Sequence, residues 1–206
     1  MTTRDYKQRR RAEAAEETRR RILDAAYDQL RAAPAERISI DRVAEAAEVA
    51  RSTVYVAFDS PVGLLDALGE DLLQRAGFER MLHQSRQPDA RESMRAGIRE
   101  LAAMYAAERD VIRALVSIVR LDTDAFSGAI GRLEERRARA MTDLAIRLAD
   151  QDQLRPGLDP EDAANALWLL TSFDAFDLLY AGRRLTTESV ADTLSAMAEH
   201  SVCRDA

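Results

Sequence analysis

Cysteine occurs once in these 206 residues, at Cys203, so neither an internal disulfide nor a cysteine-based metal site is available. A reducing cytoplasm is the compartment this implies. Histidine occurs twice, at His83 and His200, far apart in the chain and in no metal-ligand pattern. Glycine and proline are scarce, at 8 and 5 residues, and no glycine-rich loop is present to cradle a phosphate. Enzymatic chemistry, which needs a nucleophile, an acid and base pair, a metal or a phosphate loop, finds none of these, so no catalysis, cofactor or metal is expected. No apolar run approaches the length of a membrane span, and the arginine-rich N-terminus lacks the apolar core of a secretion signal.

What is abundant points one way. Apolar residues make up 47% and charged residues 32% of the chain, dominated by Ala, Leu, Arg and Glu. That composition favours an almost wholly helical protein with a real core. The net charge of −6 is unevenly spread: residues 1–21 hold eight Lys or Arg against four acids. Such a distribution argues against coating nucleic acid and for a contact confined to one end.

The stretch SIDRVAEAAEVARSTVYVAF, from Ser39 to Phe58, organises the rest. Ile40, Val43, Ala44 and Ala47 fall at i, i+3, i+4 and i+7, the stripe of a short amphipathic helix with Ser39 as its N-cap. A break at Glu48, Val49 and Ala50 follows. A second helix of about two turns sends Val54 and Phe58 inward at i, i+4 and leaves Arg51, Ser52, Thr53, Val56 and Ala57 outward. A helix too short to stand alone, with a small and polar outer face and one Arg, fits the major groove of B-DNA.

At these residues the chain resembles the tetracycline-repressor (TetR) family of one-component regulators. The resemblance begins at TRRRILDAAYDQL, from Thr18 to Leu30, and ends the DNA-binding region with YVAFDSPVGLLDAL, from Tyr55 to Leu68. Near the C-terminus, LRPGLDPEDAANALWLLTSFDAFDLLYAGRRLTTESVADTL resembles the helix pair through which many members dimerise. Four positions depart from the pattern. Glu48 replaces the usual turn glycine, which predicts a φ > 0 position held at about 1 kcal/mol; Ala50 replaces a capping Ser; Ala57 and Pro61 replace two customary contacts to the DNA backbone.

Along the chain, residues 1–15 show no apolar stripe and are expected to form a basic flexible arm. A first helix starts at a capping Thr18 and ends before Pro34, marked by Ile22, Ala25, Ala26 and Leu30. Ser60 caps a fourth helix with Pro61 at its first position, expected to fade near His83. Helices follow over about 89–108, 110–121 and 124–150, the last with an Arg-rich stretch from Arg132 to Arg139 read as a solvated face. Asp159 and Pro160 start an eighth helix expected to run unbroken to Gly182, apolar nearly all round and so buried on two sides. Thr186 or Thr187 starts a ninth, with Val190, Leu194 and Met197 as its stripe.

The predicted architecture is all-α: an arm (1–15), a three-helix helix-turn-helix DNA-binding domain (16–60), and a helical bundle for ligand binding and dimerisation (61–206). Base readout is expected from Arg51, Thr53 and Val56. By the family resemblance, phosphate contacts fall to Ser39, Ser52, Tyr55, Thr18 and Arg19. Tyr105, Phe126, Asn165 and Trp168 are expected to line a ligand pocket. The resemblance implies a transcriptional regulator that represses from a palindromic operator on double-stranded DNA, dimerises through its last two helices, and releases DNA on binding a small-molecule effector. A helical protein-interaction adaptor that has lost DNA binding is the rival.

Overall fold

A computed structural model describes residues 3–34, 36, 38–75, 87–121 and 128–205. Its elements are α1 (Thr3–Ala32), α2 (Ile40–Ala46), α3 (Arg51–Phe58), α4 (Pro61–Arg75), α5 (Ala90–Ala107), α6 (Arg109–Leu121), α7 (Ala129–Asp150), α8 (Pro160–Leu170), α9 (Phe173–Asp177), a π-type turn (Leu178–Gly182) and α10 (Thr187–Val202). Among the described residues there is no strand, only an isolated bridge between Leu154 and Cys203. No described helix is long and apolar enough to cross a membrane. The chain divides into two compact units, Met1–Leu72 with Arg113–Ile130, and Leu73–Ile112 with Gly131–Ala206.

In the first unit, α1, α2 and α3 pack on one another around Ile22, Leu30, Val43, Val54 and Phe58, all buried. The basic N-terminal residues are not an arm outside the helices. They form the first turns of α1, which begins at Thr3 rather than Thr18. Arg, Glu and Ala propagate a helix without burying anything, and Arg9 pairs with Glu13 at 3.1 Å across one turn. Thr18 therefore caps nothing: its hydroxyl donates to the Ala14 carbonyl at 2.8 Å within the helix.

In the second unit, α10 packs on α5 and α8. Met94, Ile98, Leu101 and Tyr105 of α5 are buried, as their spacing predicts. Caps set the starts: the Asp89 carboxylate accepts from Glu92 N–H, Asp159 from Glu161 N–H, and Thr186 from Ser189 N–H. Two bonds tie α5 to α10 through Arg95 and Glu199, Nε to Oε1 and Nη2 to Oε2, the latter at 2.9 Å. Glu199 lies below the usual carboxylate range because Arg95 hydrogen-bonds its charged form.

The unbroken eighth helix is corrected by the structure. It stops at Leu170, and Ser172 caps a new start, its Oγ accepting from Ala175 N–H at 3.1 Å. Thr171 Oγ1 donates to the Leu167 carbonyl at 2.7 Å and Ser172 Oγ to Leu169 at 2.7 Å, so adjacent hydroxyls compete with the backbone for the same acceptors. The interruption changes which residues face in. Leu167 and Phe176 are fully buried, while Leu178, expected on the same face as Leu167, is 71% exposed. Met197 also lies half out of the core rather than in the α10 stripe. The expected end of α4 near His83 and the start of α7 near Asp124 lie outside the described residues.

Candidate functional site

The exposed face of the first unit is built from the turn outward. Ser39 caps α2, accepting from Arg42 N–H at 3.4 Å. At the far end, Glu48 N–H reaches the Glu45 carbonyl at 3.1 Å and Val49 N–H reaches Ala44 at 3.0 Å. This paired closure requires a left-handed residue between them, and Glu48 supplies it at φ +54°, as the sequence predicts. Ala50 starts α3 with extended backbone and no side-chain cap.

On α3, Val54 and Phe58 are buried and hold the helix down. Arg19, expected on a phosphate, is instead turned inward: Nη1 donates to the Ala57 carbonyl at 2.9 Å, and the guanidinium lies 4.3 Å from the Phe58 ring centroid. It braces α1 against the end of α3. Ser52 is exposed, Thr53 and Tyr55 are half-buried, and Val56 is 85% exposed, a β-branched side chain with no packing reason to be there. Arg51 is outward, but not unoccupied. Its Nη1 donates to both oxygens of Asp41, at 2.6 and 2.8 Å, and its Nη2 to the Tyr55 hydroxyl at 3.3 Å. Tyr55 and then Asp41 raise the Arg51 pKa above its ordinary value. Nothing in the spacing of the sequence signals Asp41, which faces Arg51 only once the two helices are packed.

The corner into α4 is tight. Ser60 Oγ accepts from Gly63 N–H at 3.0 Å, so Ser60 caps α4 as expected.

The second unit holds a cavity of about 590 Å³ between α5, α7 and α8. Met94, Ile98, Leu101, Met141, Leu144 and Leu167 supply most of its wall, with Ser93, Thr171 and Arg147 among its polar groups. The expected pocket residues are elsewhere. Asn165 and Trp168 point outward, with Trp168 42% exposed. Tyr105 is buried, donates to the Thr171 carbonyl at 3.1 Å, and packs edge-on against Phe173 at 5.5 Å between ring centroids; burial pushes its phenol pKa up. Phe126 lies outside the described residues. The reason is one of phase: successive helix residues sit on different faces, and α8 turns Leu167 rather than Trp168 to the cavity.

Arg137 is also hidden in the sequence. Three arginines of the α7 run are exposed, but Arg137 is 5% exposed. It pairs with Glu134 at 2.5 Å, donates to Thr171 Oγ1 at 3.0 Å and to the Trp168 carbonyl, and lies 4.9 Å from the Trp168 ring centroid. It anchors α7 on α8 at the point where α8 ends.

A short capped helix, a closed turn and a second helix whose outer face is unburied define a helix-turn-helix, the reading head of a DNA-binding regulator. Residues 22–68 match the profile of the bacterial regulatory proteins of the tetR family. The whole fold is similar to solved structures. A TetR-like transcriptional regulator from Rhodococcus sp. RHA1 has a TM-score of 0.66 at 23% identity, covering 88% of this chain and 93% of that one. NalD of Pseudomonas aeruginosa, the secondary repressor of the MexAB-OprM multidrug efflux pump, gives 0.68 at 22% identity, covering 93% and 98%. AibR, solved with isovaleryl coenzyme A and operator DNA, gives 0.68 at 20% identity, covering 87% and 97%. A comparison with curated proteins found no match. Residues 22–68 thus carry a DNA-binding domain of the tetR type, and the chain is a DNA-binding transcriptional regulator.

Proposed function

We propose that the protein acts in the cytoplasm as a homodimeric repressor, bound to a near-palindromic operator and released from it when a small molecule fills the cavity of the second unit. The observation that carries this reading is the cavity itself. Its volume of about 590 Å³ falls in the range of sites for drug-sized ligands, with a mainly apolar wall and few polar groups. The dimer is supported by a set of outward apolar side chains: Trp168 and Leu169 on α8, Leu178 in the π-type turn, and Met197 on α10, between 42% and 71% exposed. A two-fold axis through this face pairs the last helices with their mates and gives two reading heads for two half-sites.

On the DNA, base contacts are assigned to Arg51, Thr53 and Val56. Arg51 offers a fork to guanine N7 and O6, and Val56 a methyl surface to thymine. Ser39, Ser52 and Tyr55 position the backbone, while Thr18 and Arg19, engaged within the protein, drop out of the contact set. The exposed cations of the first turns of α1, Arg9 to Arg11, add charge over the DNA backbone, where Ala57 and Pro61 have no side chain to reach a phosphate.

Genome-wide mapping of bound DNA, followed by mobility shifts on the recovered fragments at graded salt, tests the reading. Deleting residues 1–12 is expected to weaken all sequences alike and flatten the salt dependence. Arg51→Ala should cost roughly ten- to a hundredfold on the operator and relax preference at one base pair per half-site. An absence of salt-dependent binding to any fragment would leave the adaptor alternative in its place.

A further inference from the structure

At the cavity of the second unit one cation, Arg147, has no carboxylate in direct contact among the described residues. Arg147 of α7, half-buried at its edge, donates from Nη1 to Ser93 Oγ at 3.2 Å, and from Nη2 to the Gln87 carbonyl at 2.5 Å and the Pro88 carbonyl at 3.4 Å. All three acceptors are neutral. Among the described residues no carboxylate lies within ion-pair distance of it, whereas Arg95, Arg109 and Arg137 of the same unit each have one. The bonds hold the guanidinium at the cavity without cancelling its charge, and among the described residues no acceptor meets its Nε–H. A partly desolvated cation in that position is completed by an anion.

The rest of the wall narrows the anion's body. Met94, Ile98, Leu101, Met141 and Leu144 are aliphatic or thioether side chains. No aromatic ring lines the cavity among the described residues, so it lacks the π faces that recognise quaternary ammonium groups. Methionines accommodate flexible chains. Asp143, one turn before Arg147, also borders the cavity, but it is exposed and its charge is screened by water and salt.

We infer that the effector is an amphipathic anion: an acidic head on Arg147 and a flexible aliphatic body against Met94, Ile98, Leu101, Met141 and Leu144. This rests on the reading of the cavity as the effector site and names its ligand class. The test takes the full chain and three probes of equal tail length below micellar concentration, decanoate, decanol and decyltrimethylammonium, with binding read from thermal stabilisation. Decanoate should bind most tightly. Arg147→Gln should weaken decanoate about tenfold or more while leaving decanol unchanged, and Arg147→Lys should retain part of the preference. Decanol matching decanoate in the wild type, or an Arg147→Gln variant that binds decanoate undiminished, overturns the anionic head yet leaves the cavity an effector site. Tighter binding of the ammonium probe overturns it in favour of Asp143. If none of the three binds, the cavity reading falls with it.

Discussion

Replacing Gly63 with alanine sets two effects against each other at the corner between α3 and α4. In an open helix the exchange gains about 1 kcal/mol, because glycine loses more backbone freedom on folding. At Gly63 the added Cβ would stand 3.2 Å from the Phe58 carbonyl carbon and nearer still to its oxygen, inside the 3.0 Å that real Cβ atoms essentially never breach. The obstacle is backbone, so no rotamer relieves it. Relief means opening the corner, where Ser60 N–H bonds the same Phe58 oxygen at 2.6 Å and Gly63 N–H bonds Ser60 Oγ. Overpacking of this kind costs about 1–3 kcal/mol, and with backbone as the obstacle the upper end applies, so after the helix gain of about 1 kcal/mol the net loss is expected at up to about 2 kcal/mol, or a Tm lower by several degrees. Phe58 ends α3, so any shift is passed to the reading head, and operator affinity should fall by more than the lost stability explains. Thermal unfolding and a mobility shift on the same variant read both quantities. A Tm equal to or above that of the wild type would show that the corner yields freely, and the steric reasoning would be refuted.

Glu48→Gly is expected to raise stability by about 1 kcal/mol, since it removes a Cβ from a left-handed residue at φ +54°; a lower melting temperature would contradict this. Leu178→Asp, placed on a side chain 71% exposed in the chain alone, should give monomers by sedimentation with the helical circular dichroism intact, and a persistent dimer would move the interface elsewhere. The Arg95–Glu199 pair makes an acid-side prediction. Because Glu199 is lowered in the folded chain, its contribution is fully present above the ordinary carboxylate range and fades as pH falls through the depressed folded value. Arg95→Met should therefore flatten the loss of stability in that window, and an unchanged acid limb in pH-dependent denaturation would rule the pair out as its source.

What can be read from the sequence is local. The helix-turn-helix announces itself because Ile40, Val43 and Ala44 repeat at helical spacing and because Ser39, Glu48 and Ser60 carry backbone information in single residues. The helix starts at Asp159 and Thr186 are legible for the same reason. The break at Thr171 and Ser172 is not, since it arises from hydroxyls competing for carbonyls inside a stretch whose hydrophobic pattern runs straight on. In that stretch nearly every side is apolar, so periodicity does not say whether Leu167 or Trp168 faces the interior, and the pocket falls to the wrong neighbour. Arg137 looks like one more surface cation in a charged run. Its burial depends on Glu134, Trp168 and Thr171 meeting it from two helices, which no one-dimensional pattern encodes. The cavity has the same character: three helices enclose it, and none of them marks it alone.

Arg51 is the single charged side chain of α3, and Asp41 already neutralises it in the unbound protein. A passing duplex thus meets a reading helix with no net attraction of its own, and the pull toward the backbone must come from elsewhere in the unit. For Arg51 to take a guanine it must give up a carboxylate. A base edge that returns two acceptors completes that exchange, and one that returns fewer leaves it in deficit. On the proposed readout, Asp41 would act as a built-in competitor, and a wrong operator would be refused by a contact the protein makes with itself.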